Sequence, residues 1–105
     1  MNAPLLLQVD NNALACLEGN PFIQLKYLQW LSVAANQLTD LSGLVGPALE
    51  TLNLTGNAIK TVKSLQMGCF GNLVTLELRG NLLETTDGIN LPNLQRLYLV
   101  IITLL

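Results

Sequence analysis

Apolar residues recur along this chain in an eleven-residue frame, Leu-x-x-Leu-x-Leu-x-x-Asn-x-Leu. Intact copies begin at Leu28, Leu49 and Leu73, a degenerate copy begins at Pro4, and an incomplete copy begins at Leu94. The Leu-x-x-Leu-x-Leu part alternates apolar and polar positions, which is typical of a short β-strand with one buried face. The pattern therefore predicts one strand per frame, with the leucines of all frames facing a common core.

Asparagine occupies the ninth position of the first four frames, at Asn12, Asn36, Asn57 and Asn81. The chain turns away from the strand at this point, and an amide side chain can both donate to and accept from the backbone groups that the turn exposes. We therefore predict a structural ladder of stacked asparagines, not a set of ligand-binding side chains. In the fifth frame Ile102 stands at this position.

A second pattern follows each asparagine and reads LACLEG, LTDLSG, IKTVKS and LETTDG in successive frames. Its apolar positions and its final small residue predict a tight turn that ends before the chain returns to the next strand. The segments are too short for long helices, so we expect 3₁₀ turns or one-turn helices there.

Repeating units of this length stack on their neighbours and bury a continuous core. Together the two patterns predict an α/β leucine-rich repeat solenoid of about five repeats. Short parallel strands are expected on its concave face, and 3₁₀ or short helical turns on its convex face. The predicted array covers residues 4–105, with repeats beginning near 4, 28, 49, 73 and 94 and no separate second domain.

Composition excludes several classes of function. The chain has 105 residues, a net charge of −2, five scattered lysines and arginines, and no histidine. A nucleic-acid surface needs clustered basic residues with stacking aromatics, so no nucleic-acid partner is predicted. Without histidine, a nucleophile motif, a phosphate loop or an acid pair, we predict no enzymatic activity, no metal and no cofactor.

Cysteine usage and the apolar segments bear on the compartment. Cys16 and Cys69 are not spaced as a metal or redox motif, and we expect two free structural thiols in a reducing environment. The first ten residues lack the features of a signal peptide. The apolar stretch 97–105 would span only about 14 Å as a helix, too little to cross a bilayer. We therefore expect a soluble cytoplasmic protein with no membrane partner.

Three segments are similar to one known family: VDNNAL (9–14), ANQLTDLSG (35–43) and LVTLELRGNLLETTDGINLPNLQRLYL (73–99). They resemble the leucine-rich repeat proteins of ciliary and flagellar radial spokes, over roughly residues 4 to 99. The resemblance implies a non-enzymatic scaffold of the cytoskeleton, in the axoneme of motile cilia and of the sperm flagellum. It also implies radial-spoke head components as partners and a role in sperm motility. A phosphatase-regulator-like adaptor of the same repeat subclass and a truncated isoform without independent function are the alternatives.

The candidate binding surface follows from the predicted curvature. Curved repeat arrays usually contact their partners through outward-facing positions of the concave sheet, and Trp, Arg and Tyr are frequent interface anchors. The alternative is that the charged residues are solvated and that the aromatic residues pack on their neighbours. The candidate protein-binding residues are Trp30, Ser32, Asn53, Thr55, Glu77, Arg79, Arg96 and Tyr98.

The ends of the array form a second candidate surface. Terminal repeats normally carry polar caps, and the sequence predicts none at either end. The uncharged segment LYLVIITLL has high β-propensity and no proline, which is typical of an aggregation-prone strand edge. We therefore expect self-association through the uncapped ends.

Overall fold

The computed structural model describes residues 6–13, 27–41, 46–62 and 70–101. These residues contain five strands, which lie in one sheet in the order β1–β2–β3–β4–β5, with each strand parallel to its neighbour. The strands are β1 Leu6–Gln8, β2 Trp30–Ser32, β3 Thr51–Asn53, β4 Thr75–Glu77 and β5 Arg96–Tyr98. Each strand coincides with positions three to five of one frame, so the predicted parallel leucine-rich repeat solenoid is confirmed.

The core lies between the sheet and the outer segments. The register places the central leucines of successive strands side by side, and Leu31, Leu52 and Leu76 are completely buried. Leu38 and Ile59, at the last position of their frames, are equally buried on the other side of the core. Each such side chain contributes about 1.5–3 kcal/mol through removal from water, so the repeated apolar positions are a major source of stabilisation.

The chain leaves each of the first four strands through a residue in the left-handed region, immediately before the asparagine. Ala35, Gly56 and Gly80 have φ values of 56°, 74° and 76°. A Cβ atom is disfavoured in this conformation, which explains glycine in two of these frames and makes Ala35 a strained position. Ile101 stands at the same position of the fifth frame, and it is not among the described residues with positive φ. A β-branched side chain is particularly unsuited to this turn.

Residues 38–41, 58–62 and 83–88 of the outer segments contain none of the predicted helical turns, and Phe70 is the one helical residue in the described ranges. Residues 58–62 and 83–86 are irregular, and a turn at 87–88 ends the fourth outer segment, where Gly88 has a φ of 98°. There the hydroxyl of Thr85 accepts a hydrogen bond from the backbone N–H of Asp87 at 3.1 Å. Such local side-chain bonds compete with helical ones. The segment LACLEG, both cysteines and Ile102 lie outside the described residues.

Burial is incomplete in the last strand. Leu97 aligns with Leu76 but is 38% exposed, and Leu94 and Leu99 are half-buried against the core. The inward direction predicted for these leucines is therefore correct, but β5 is an edge strand and has no described neighbour on its outer side to cover them.

Candidate protein-binding face

The outward face of the sheet consists of three rows of side chains that point away from the core. The register sets one row through Leu6, Trp30, Thr51, Thr75 and Arg96, and a second through Gln8, Ser32, Asn53, Glu77 and Tyr98. A third row follows the strands at Asp10, Ala34, Thr55, Arg79 and Val100, given by the frame. All eight candidate binding residues lie in these rows.

Glu77 and Arg79 form a hydrogen-bonded ion pair on this face. One carboxylate oxygen of Glu77 accepts from the backbone N–H of Arg79 at 3.1 Å and from its Nε at 2.9 Å. The other oxygen accepts from the guanidinium Nη2 at 2.7 Å. The hydrogen bond from the Arg79 side chain lowers the pKa of Glu77 below its ordinary value of 4.5, and it outweighs the opposing effect of burial. The same bond raises the pKa of Arg79.

The guanidinium of Arg79 also lies over Tyr98. Its central carbon is 5.1 Å from the centroid of the Tyr98 ring, within the range of a cation–π contact. The Arg79 side chain remains 60% exposed although both of these contacts fix its position. Arg79 and Tyr98, which we call the Arg79–Tyr98 platform, thus present two anchor-type side chains in a fixed arrangement beside the exposed Arg96.

Ser32 requires a correction, because it is buried, with a relative exposure of 1%. Its hydroxyl donates to one oxygen of the Asp10 carboxylate at 2.7 Å, and the backbone N–H of Ala34 donates to the same oxygen at 2.7 Å. Gln8 donates to the other oxygen at 2.7 Å. Burial raises the pKa of Asp10, but these three bonds together lower it further than burial raises it. Ser32 is a structural side chain that ties the first repeat to the second.

Asn53 and Thr55 bind each other in the middle of the face. The side-chain oxygen of Asn53 accepts from the backbone N–H of Thr55 at 3.1 Å and from its hydroxyl at 2.7 Å. Both residues are half-buried, like Trp30 in the neighbouring row. The centre of the face is therefore polar and internally bonded, and the β4–β5 end carries the exposed anchors.

The frame asparagines form a ladder at the carboxyl ends of the strands. Asn57 donates to the carbonyl of Leu54 in its own repeat and to that of Val33 in the preceding repeat, both at 3.0 Å. Its side-chain oxygen accepts from the backbone N–H of Leu38 at 3.1 Å. Asn36 and Asn81 make equivalent bonds to the preceding repeat, and all three amides are buried. Asn12 is exposed and its amide group donates only within its own repeat.

A shorter asparagine ladder at the amino ends of the strands escaped the sequence analysis. Asn72 donates to the carbonyl of Pro47 at 2.8 Å, and Asn93 donates to that of Gly71 at 2.7 Å. Both asparagines directly precede the first leucine of a frame. This shared position could have predicted the second ladder. The two asparagines line a shallow groove of about 520 Å³ whose other walls include Gln29, Glu50 and Gln95.

Neither a metal site nor a membrane span emerges from the described part of the chain. No three His, Cys, Asp or Glu side chains there come together in a way that could hold a metal ion. The described ranges also hold no helix with the length and hydropathy needed to cross a membrane.

Comparison with known proteins finds similarity to leucine-rich repeat proteins. The chain is 50% identical over 76 residues to human leucine-rich repeat-containing protein 23, covering 72% of this chain, and 46% identical over 117 aligned positions to the bovine protein, covering 90%. Human decorin is 27% identical over 95 residues, which is 89% of this chain and 26% of decorin. No family model matches the chain. No solved structure matches it significantly.

The matched part is a fraction of each relative. The chain spans 21% of the human and 33% of the bovine protein.

Proposed function

Since the chain is a leucine-rich repeat protein similar to leucine-rich repeat-containing protein 23, we propose that it is a non-enzymatic protein-interaction scaffold that acts in radial spokes of motile cilia and sperm flagella. Its partners would be radial-spoke head components, and its compartment the axoneme within the cytoplasm. The location and the partners come from the resemblance of the repeat sequences, and the scaffold role is supported by the structure as well.

The Arg79–Tyr98 platform carries the scaffold proposal. A five-stranded parallel sheet presents a continuous face, and hydrogen bonds between the side chains of that face reduce the conformational entropy lost on binding. The guanidinium of Arg79 is bonded to Glu77, rests on Tyr98 and still offers most of its surface. Such a preorganised Arg and Tyr pair is typical of a protein-binding anchor.

Direct binding tests this proposal. Purified chain is immobilised and presented with radial-spoke head proteins and, separately, with a phosphatase catalytic subunit. We expect the spoke proteins to bind, and Arg79→Ala and Tyr98→Ala each to weaken that binding by about tenfold or more, as anchor residues do. Glu84→Ala on the outer segment, where the side chain is exposed, is the matched control and should leave binding unchanged.

Each outcome has a defined meaning. Binding of the phosphatase subunit alone would replace the spoke assignment with the adaptor alternative. Binding of spoke proteins without sensitivity to either platform variant would leave the spoke role standing and remove the platform from it. If neither class of partner binds the folded chain, the scaffold proposal fails for these repeats.

A further inference from the structure

The groove at the amino ends of the strands has one charged side chain in its walls, that of Glu50. We call it the Glu50 groove. Its other polar walls are the neutral amides of Gln29, Asn72, Asn93 and Gln95. With a volume of about 520 Å³ it lies within the size range of sites that bind small groups. The only formal charge that an occupant would meet among these side chains is therefore negative.

The Glu50 carboxylate is available to an occupant. Glu50 is exposed and forms no ion pair with another described residue. A described repeat lies on each side of it: its backbone N–H donates to the carbonyl of Gln29 at 2.8 Å, and its carbonyl accepts from the N–H of Val74 at 2.9 Å. Glu50 is thus an interior position of the sheet, and its accessibility does not depend on an edge strand.

The asparagines of the groove supply fixed acceptors. Each amide nitrogen donates to a backbone carbonyl of the preceding repeat, at 2.8 Å for Asn72 and 2.7 Å for Asn93. The amide oxygens of both side chains accept no hydrogen bond from a described residue. Because the two amides make equivalent bonds in adjacent repeats, their oxygens recur at about the strand spacing of 4.8 Å. An occupant with several donors finds neutral acceptors beside the carboxylate.

Two apolar residues also line the groove. Ala48 lies two residues before Glu50, and Val74 lies beside Glu50 in the next repeat; both are half-buried. A long basic side chain packs its methylene groups on such a surface while its charged end stays among polar groups. The planar guanidinium of arginine offers five donors that match a carboxylate and further acceptors, whereas the ammonium of lysine is compact and strongly hydrated.

We propose that the Glu50 groove binds an arginine side chain of a partner protein. The guanidinium contacts the carboxylate of Glu50 and the amide oxygens of Asn72 and Asn93, and the methylene groups lie on Ala48 and Val74. Charge complementarity decides the occupant, because the one charged wall attracts a cation and repels an acidic side chain.

This site is separate from the Arg79–Tyr98 platform. The platform lies in and beyond the carboxyl ends of the strands, whereas the Glu50 groove precedes them. A substitution at Glu50 leaves both platform residues in place, so the failure of one proposal does not entail the failure of the other.

Peptide titrations followed by NMR test the proposal. The blocked peptide Gly-Ser-Arg-Ser-Gly is added to the isotopically labelled full chain, and matched peptides carry citrulline or lysine in place of arginine. Citrulline has nearly the shape of arginine and no charge. We expect the side-chain amide signals of Gln29, Asn72 and Asn93 to shift with the arginine peptide, with a Kd of about a few millimolar or tighter. The citrulline peptide should bind about tenfold more weakly, and the lysine peptide about threefold.

Two variants locate the charge. Glu50→Gln keeps the size of the side chain, removes its charge and should weaken binding of the arginine peptide about tenfold. Glu84→Gln makes the same change in net charge on the exposed outer segment and should leave the Kd unchanged. Both glutamates are exposed, so both variants are expected to fold, and circular dichroism checks this.

The same titrations can overturn the proposal. Groove amide signals that do not shift with about 10 mM arginine peptide would show that no such site exists. Equal affinities for the arginine and citrulline peptides, or for the arginine and lysine peptides, would refute recognition of a guanidinium. Equal weakening by Glu50→Gln and Glu84→Gln would indicate a response to net charge alone and would remove the site from Glu50.

Discussion

The side-chain oxygen of Asn57 accepts a hydrogen bond from the backbone N–H of Leu38 at 3.1 Å, although 19 residues separate them in the chain. The bond joins the strand exit of one repeat to the outer segment of the preceding one. Since the amide is buried and also donates to two carbonyls, a single side chain satisfies three backbone groups that water cannot reach.

Asn57→Ala should lower the free energy of unfolding by about 1–3 kcal/mol, because it leaves these backbone groups buried without partners. Urea denaturation followed by circular dichroism measures the change. Asn12→Ala is the control: its amide is exposed, and water can replace its bonds to Val9 and Asp10, so its effect should be below about 1 kcal/mol. Equal losses for the two variants would show that the ladder contributes nothing beyond local turn bonds.

Substitutions at two positions with left-handed backbone, Ala35 and Gly80, should change stability in opposite directions. Ala35→Gly removes a Cβ atom at a φ of 56° and should stabilise the chain by about 0.5–1 kcal/mol, after allowance for the greater unfolded-state entropy of glycine. Gly80→Ala introduces a Cβ atom at a φ of 76°, only 3.2 Å from the backbone nitrogen of Gly56, and should destabilise it by about 1–2 kcal/mol. Paired thermal denaturation curves test the signs, and a loss of stability in Ala35→Gly would contradict the assigned strain.

Leu76 and Leu97 occupy equivalent positions in adjacent strands but differ in burial. Leu76→Ala should lower the free energy of unfolding by about 2–5 kcal/mol, because it opens a cavity in a closed core. Leu97→Ala should lower the free energy of unfolding by about 1.5 kcal/mol or less, because much of that side chain is already in water. The comparison is made by urea denaturation at low protein concentration, where self-association is negligible. Equal costs under that condition would indicate that Leu97 is covered within the monomer.

The ion pair on the outward face predicts a dependence of stability on pH. The folded-state pKa of Glu77 is depressed, so the carboxylate stabilises the fold above its unfolded-state value of about 4.5, and this contribution is lost as pH falls through the folded-state pKa. The difference in melting temperature between wild type and Glu77→Gln should therefore be present at pH 7 and shrink below pH 4.5. Glu84→Gln, on the exposed outer segment, serves as the comparison. A difference of constant size between pH 7 and pH 3 would rule out the carboxylate as its source.

The sequence by itself determined the repeat boundaries, the parallel direction of the strands and the residues of each outward row. These follow from a strict spacing of leucines, since only one register buries every leucine of the frame on the same side. The asparagine column was readable for the same reason: its position relative to the strand recurs in four frames.

Contacts between repeats were decided only by the tertiary structure. Ser32 reads as an outward-facing residue in its frame, yet Asp10 from the preceding repeat covers it. Glu77 and Arg79 are two residues apart in an ordinary strand pattern, and only the neighbouring β5 supplies the Tyr98 ring beneath the guanidinium. The edge exposure of Leu97 likewise depends on what lies beside its strand. Periodicity fixes which way a side chain points, whereas its burial and bonding depend on the residue that the adjacent repeat places next to it.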